Sequence, residues 1–169
     1  MISRPKEAKR IFVSVGTHPQ QFNRLLEAVD ELKQSGKLKG KVFCQSGHSD
    51  CRPKNFEAVP FLGLEEFGKR VKWCDLFITH GGEGNIGAGL QHEKPMVIVP
   101  RLKKFGEHTN DHQLELTKAI ADAGFGIAVC DTAKLLRGIG KAMAAKAKRR
   151  EHGKIIELIE AKVREWGME

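Results

Sequence analysis

The chain has 169 residues, 40% of them hydrophobic and 30% charged, the balance of a soluble globular protein long enough to bury a core. Its formal net charge of +8 suits a solvated basic surface or an anionic partner such as nucleotide phosphates, a headgroup layer or nucleic acid. Aromatic residues make up only 7% and tyrosine is absent, which argues against a base-stacking nucleic-acid platform, and no apolar run approaches the ~20 residues of a membrane span.

Met1 to Arg10 (MISRPKEAKR) is a polar lead-in, expected to be mobile and, lacking an apolar core, not a signal peptide; residues 11–169 are expected to form a single domain. Ile11 to Val15 (IFVSV) is the first predicted strand, closed by the turn Gly16-Thr17-His18-Pro19. Phe22, Leu25, Leu26, Val29 and Leu32 then recur at helical spacing, with Pro19 suited to the first turn and Gly36 and Gly40 closing the helix. Lys41 to Gln45 is a second strand, Phe56 to Leu62 a third interrupted by Pro60, and Glu65 to Lys72 a short helix. Leu76 to Thr79 and Met96 to Val99 are short β-branched runs that read as buried strands, separated by a crossover from Glu83 to His92. Leu116, Ala119, Ile120 and Ala123 mark a helix from near Asp111 to Gly124-Phe125-Gly126. Ile127 to Cys130 is a last strand, and Asp131 or Thr132 can cap the helix after it. A final helix carries Ile156, Ile159, Val163 and Trp166 on one face, to pack on the domain's own core or dock a partner. Strands alternating with helices predict an α/β fold, a Rossmann-like parallel sheet flanked by helices, with right-handed crossovers.

Cys44, Cys51, Cys74 and Cys130 form no CxxC pair, and without a secretion signal the expectation is free thiols in a reducing cytoplasm. Cys44, His48 and Cys51 stand close together, but no fourth ligand accompanies them, so a metal site is not expected.

Parallel pairing brings three loops to one sheet edge: Gly16-Thr17-His18, His80-Gly81-Gly82-Glu83-Gly84-Asn85, and the stretch from Gly106 to Gln113 (GEHTNDHQ). Ligands of open α/β sheets bind in the crevice beyond the strands' carboxyl ends. The first two loops are glycine-bearing turns into helices, where backbone N–H groups and the helix N-terminus favour a phosphate, and Thr17 and Asn85 can add side-chain donors. Such glycines serve a tight strand-to-helix turn equally well, and neither GxGxxG nor GxxxxGK[ST] is present. Every residue of the third loop except its glycine is polar or ionisable; Asn110 or Asp111 can cap the next helix, and polar loop residues on a rigid scaffold are often functional.

Taken together, IFVSVGTHPQQFNRLL, DLFITHGGEGNI and KPMVIVPR with GEHTNDHQLEL resemble the C-terminal, donor-binding domain of glycosyltransferase family 28, over roughly residues 11 to 130. The likeness is closest to the small subunits of split UDP-sugar transferases of the bacterial exopolysaccharide and dolichol-pathway types. The resemblance implies the C-terminal half of a GT-B fold and an inverting transfer of N-acetylglucosamine, glucose or glucuronate from a UDP-sugar to a lipid-linked acceptor. It implies no cofactor and no bound metal, the UDP-sugar being a substrate. It sets Gly16, Thr17 and His18 against the donor diphosphate and the backbone of Phe61 and Leu62 at uracil. His80, Gly81, Gly82 and Gly84, with Asn85 as an added donor, surround the diphosphate and ribose. Glu107, Asn110, Asp111, His112 and Gln113 match the loop that reads the sugar. His18 is the candidate for contact with diphosphate or acceptor, Glu107 and Asp111 for sugar hydroxyls, and the general base is left unassigned. One departure is Ala88, where the family usually carries the acidic residue that grips the ribose.

The implied partner is a membrane-anchored, acceptor-binding subunit that would hold the chain at the cytosolic membrane face; self-association of the isolated chain into a homodimer is left open. The basic tract from Lys134 to Lys154, with Lys146, Lys148, Arg149 and Arg150, offers a surface for anionic headgroups or simply a solvated face. A non-catalytic nucleotide-binding or regulatory subunit is the alternative that Ala88 favours. A basic nucleic-acid-binding module is disfavoured, since no motif of that class is present.

Overall fold

The computed structural model describes residues 7–145 and 152–166. Six strands form a single sheet: β1 (Arg10–Ser14), β2 (Lys41–Gln45), β3 (Glu57–Val59), β4 (Leu76–His80), β5 (Met96–Val99) and β6 (Ile127–Ala128). Their order is β3-β2-β1-β4-β5-β6 and every adjacent pair is parallel. The central strands are covered on both faces, which is why they read as continuous apolar runs. Alternate residues of each strand feed two cores. Ile11, Val13, Cys44, Ile78 and Val97 face α1 (Asn23–Gln34) and α5 (Leu135–Ala144). Phe12, Phe43, Phe77, Met96 and Ile98 face α2 (Leu64–Trp73), α3 (Glu83–Gln91) and α4 (His112–Asp122). On this second core α6 (His152–Glu165) rests through Leu158 and Ile159, with Trp166 just beyond its end. The helices thus lie on both faces of the sheet, as the sequence led us to expect.

Several boundaries differ from the sequence reading. β1 starts and ends one residue early, because Arg10 already pairs with Lys41 through the Lys41 N–H to Lys9 carbonyl bond at 2.8 Å; the Asp75 carboxylate accepts from the Arg10 N–H at 2.9 Å and from its guanidinium at 2.8 Å. Residues 1–6 of the expected lead-in lie outside the described residues. α1 starts at Asn23, so Pro19 belongs to the loop and not to the first turn. The Phe22 N–H is instead taken by the Ser49 hydroxyl at 2.9 Å, and the Asn23 side chain accepts from the N–H groups of Asp50 and Cys51 at 2.9 and 3.0 Å. β3 is a short edge strand ending before Pro60, where the missing N–H stops the ladder. The carbonyls of Val59 and Pro60 still hold the N–H groups of Ser46 and Gly47, both at 2.8 Å. β6 covers only two residues, and Asp131 caps a 3-10 turn, Thr132–Lys134, ahead of α5. Of the basic tract, Lys146, Lys148, Arg149 and Arg150 lie outside the described residues, as does the side chain of Ile156. No helix among the described residues is long and apolar enough to cross a membrane.

This winding positions a crevice. From β1 the chain moves outward to β2 on one side, and from β4 to β5 on the other. The loops leaving β1 and β4 therefore diverge, and a gap opens between the carboxyl ends of these two neighbours. Phe12, at the centre of β1, stacks on Phe77 at 5.3 Å and meets the edge of Phe67 at 5.4 Å, joining both strands to α2. Replacing Phe12 by alanine is expected to lower stability by about 3–5 kcal/mol, read as a reduced urea midpoint; a loss below ~1 kcal/mol would contradict this role.

Candidate functional site

The crevice is organised from below by Arg101, which follows β5 and is wholly buried. A guanidinium in the interior costs several kcal/mol unless its N–H groups find acceptors. Here Nε and Nη2 donate to the Val15 carbonyl at 3.1 and 2.6 Å. Nη1 donates to the carbonyls of Gln20 (2.8 Å), Gln21 (3.3 Å) and Glu107 (3.1 Å). Burial brings the Arg101 pKa down to about 10, with Glu107 opposing the shift, so it stays charged at neutral pH. One side chain thereby fixes the loop after β1 and the loop after β5.

Glu107 completes that arrangement. Its carboxylate accepts from Arg24 Nε at 2.9 Å, from Arg24 Nη2 at 3.0 Å and from the Leu102 N–H at 2.9 Å. It is only 1% exposed, so it faces the interior and holds the loop. Arg24 also reaches the carbonyls of Pro100 and Cys130, both at 3.1 Å, bringing the end of β6 into the same network.

Above this, His80 at the tip of β4 is packed between Gly16 and Gly82; a Cβ on either glycine would overlap its imidazole. Gly16 also has φ +80°, a conformation that side-chain-bearing residues avoid. The Gln113 side-chain oxygen accepts from the N–H groups of Gly81 and Arg101, each at 3.1 Å, and lies 3.3 Å from His80 Nδ1. A carbonyl oxygen can only accept, so Nδ1 carries the proton. Burial first, then the Arg101 charge, depresses the His80 pKa to about 3, leaving the ring neutral. Asn85 is likewise used inside: its amide donates to the hydroxyls of Ser14 at 2.8 Å and Thr79 at 3.0 Å.

The outer rim is made of rings and helix ends. His18 and His108 stack at 4.1 Å, and His112 stacks on Trp166 at 4.5 Å, whose indole N–H donates to Glu115 at 2.9 Å. A cleft of about 110 Å³ opens among Gly82, Glu83, His108, Asn110, His112 and Trp166. Asp111 is exposed and accepts from the Lys103 N–H at 2.9 Å, while the Asn110 side chain accepts from the His112 N–H at 3.1 Å. The N–H groups of Gly82, Glu83 and Gly84, at the start of α3, have no acceptor among the described residues. Larger cavities, of about 350 and 360 Å³, lie against α5 and contain none of the expected site residues.

The structure therefore gathers Gly16, His18, His80, Gly81, Gly82, Gly84, Asn85, Asn110, Asp111, His112 and Gln113 at one edge, with Thr17 exposed beside them. Phe61 and Leu62 follow β3, two strands out from β1 on the same edge. Phe61 is half-exposed against His48, and the Leu62 N–H is held by the Gln45 side chain at 2.9 Å. Arg101, Arg24, His108 and Trp166 went unassigned in the sequence. Of these, Arg101 had a readable signal, the first cation after a fully apolar strand.

A doubly wound parallel sheet with glycine turns and a free helix N-terminus at its switch point defines a Rossmann-like domain whose crevice suits a phosphate-bearing ligand. More narrowly, the chain belongs to the family described as glycosyltransferase family 28 C-terminal domain, whose model matches residues 10–164, and its fold is that of the C-terminal half of GT-B glycosyltransferases. It is similar to the uncharacterized UDP-glucosyltransferase YojK of Bacillus subtilis (strain 168), with 35% identity over 53% of this chain and 22% of that protein. It is also similar to the UDP-N-acetylglucosamine transferase subunit ALG13 of Debaryomyces hansenii, with 29% identity over 59% of this chain and 49% of that protein. The chain thus spans half or less of the length of these curated relatives. The NMR solution structure of ALG13 has the same fold, with a TM-score of 0.59 and 18% identity over 90% of this chain and 95% of that one.

Two outcomes follow from this geometry. Arg101→Leu would strand the carbonyls of Val15, Gln20 and Glu107, and should cost about 3–5 kcal/mol in urea unfolding; a neutral substitution would remove the organising role given to it. The second concerns pH. His80 takes up a proton near pH 6.5 when unfolded but only near pH 3 when folded. Stability is then full above about pH 6.5 and is lost as pH falls toward 3, by up to ~1.4 kcal/mol per unit. Burial lowers His18 and His108 as well, with the same sign. The urea midpoint should fall between pH 7 and pH 5, less steeply in His80→Asn, and a flat wild-type profile would refute the assignment.

Proposed function

We propose that this chain binds a UDP-sugar in the switch-point crevice and is the donor-binding, catalytic part of an inverting glycosyltransferase. The observation that carries the reading is the packing of His80 between Gly16 and Gly82, which locks two glycine turns and the α3 N-terminus around one point, in a member of a glycosyltransferase family. Free N–H groups at Gly82, Glu83 and Gly84 are aimed donors for a diphosphate, reinforced by the dipole of α3. As the sugar–phosphate bond breaks, charge grows on the leaving UDP, and donors already in place stabilise it without rearrangement. Arg101 adds a fixed positive charge from beneath. On this account the dipoles and Arg101 do the work that a metal would otherwise do.

His18 faces the diphosphate or the incoming hydroxyl, and Asp111, on the exposed rim, faces the sugar. Glu107 acts through the loop it holds. Ala88 packs toward the second core and offers no carboxylate; Glu83, the first residue of α3 and part of the cleft wall, is the acid in reach of ribose or sugar hydroxyls. The acceptor half of the cleft is supplied by a partner, a membrane-anchored subunit that binds a lipid-linked acceptor and keeps this chain at the cytosolic membrane face. ALG13 is itself named a transferase subunit, which supports a divided enzyme. The donor sugar is N-acetylglucosamine, glucose or glucuronate.

Calorimetric titration with UDP, UDP-N-acetylglucosamine, UDP-glucose and UDP-glucuronate, without metal, tests the reading. Saturable binding is expected, and it should vanish in Gly82→Trp, whose indole would displace His80. Absence of binding with the acceptor subunit also present would sink the proposal. The substitution of Ala88 favours a second reading, a non-catalytic nucleotide-binding subunit, which predicts binding but no transfer in the reconstituted pair. Transfer that drops by about tenfold or more in His18→Ala and Asp111→Ala decides for catalysis.

A further inference from the structure

His18 and His108 come from different loops, one after β1 and one after β5, yet their rings stack at 4.1 Å with planes 30° apart. Each presents Nδ1 to a backbone amide two residues on: the Gln20 N–H lies 3.5 Å from His18 Nδ1, and the Asn110 N–H lies 3.3 Å from His108 Nδ1. An amide N–H can only donate, so both Nδ1 atoms are acceptors and each neutral ring carries its proton on Nε2. The loops thus fix the tautomer of both rings. The result is a pair of Nε2–H donors with no acceptor among the described residues.

The surroundings favour an anion over a metal or a carboxylate. Among the described residues no carboxylate is hydrogen-bonded to either ring. Arg101 acts on both rings from beneath, His80 and His112 are the neighbouring imidazoles, and Asp111 is the one acid whose field reaches His108. Glu107 is already occupied by Arg24. Burial and the positive surroundings keep both rings neutral at pH 7, and a neutral ring with its proton on Nε2 remains a donor. His108 also lines the cleft beside Gly82 and Glu83, where the unpaired N–H groups of α3 begin.

We infer that His18 and His108 act as one two-ring clamp on the diphosphate of the bound nucleotide, each donating its Nε2–H to it. This rests on the donor-binding reading above and adds His108, which that reading does not use. At 4.1 Å the rings are close enough for one diphosphate to take both donors. Ring stacking holds the donors in register, and the tautomer set by Gln20 and Asn110 spares the site a proton transfer when the ligand arrives.

Two substitutions at His108 separate donation from packing. Phenylalanine keeps the stacked ring and removes the donor; glutamine keeps an N–H at similar reach and removes the ring. Calorimetric titration of the whole chain with UDP at pH 7.5 should show His108→Phe weakened by about tenfold or more and His108→Gln within about threefold of wild type. The same pair at His18 should behave alike, and melting temperatures would confirm that each variant is folded. UDP binding undiminished in His108→Phe, or as weak in His108→Gln as in His108→Phe, would overturn the clamp and leave the donor-binding reading intact. A wild-type chain that binds no UDP even with the acceptor subunit would overturn both.

Discussion

The structure depends on a buried guanidinium that never meets solvent. Arg101 gives its hydrogen bonds to main-chain carbonyls of two loops whose one regular element among the described residues is the 3-10 turn Lys103–Phe105. Backbone carbonyls in such loops need partners, and when buried without them each costs about 1–3 kcal/mol. The planar fork of an arginine can serve several at once, in fixed directions, which a lysine cannot. The charge is tolerated because Glu107 stands nearby and is itself bound by Arg24. Both loops are thereby tied to one side chain, which sets where the residues at their tips stand.

That arrangement gives the crevice a particular electrostatic character. Its positive charge lies underneath, in Arg101, whereas the groups around the glycine turns are neutral, His80, two stacked imidazoles and the open N–H groups of α3, and the carboxylates of Glu83 and Asp111 stand at the rim. A ligand anion would meet aligned dipoles, not a mobile ammonium. Aligned dipoles need no reorganisation when charge moves from one atom to another, and this is what a departing diphosphate requires. The neutrality of His80 follows from the same cause, since a second full charge above Arg101 in a dry site would be expensive.

The sequence displayed the sheet well because the central strands are buried on both faces, and such strands are continuous apolar runs. It displayed the margins poorly. β3 and β6 lie at the sheet's edges, where pairing is short and Pro60 or a turn ends it early. Pro19 looked like the start of a helix, but the start is set by Ser49 and Asn23, a contact between distant loops. The glycine turns were legible as turns from strand into helix, since local spacing carries that information; their closure on the His80 ring was not. The inward turn of Glu107 was not, because its partner Arg24 lies 83 positions away and no local pattern encodes the pairing. Trp166 was legible as part of the final helix's apolar face, but its stacking on His112, like that of His108 on His18, was hidden for the same reason: each ring partner is brought near only by the fold.

The helix that offers its N-terminus to the crevice is weak in its own composition. α3 contains Gly84, Gly87 and Gly89, and each glycine in a helix costs about 0.5–1 kcal/mol relative to alanine. At Gly89 the reason is packing, since a Cβ would run into Met96 and Phe77; the helix can therefore lie close on the sheet, held by Ile86 and Leu90. At Gly84 and Gly87 a Cβ would meet nothing within 4 Å among the described residues. Internal packing does not account for those two, and Gly84 stands in the first turn beside the unpaired N–H groups. On the proposed reading, a bare backbone there would let a phosphate approach more closely than any side chain would permit. The sheet and Arg101 network supply the rigidity that α3 gives up, so the helix can have an exposed, side-chain-free end and still point it in a fixed direction.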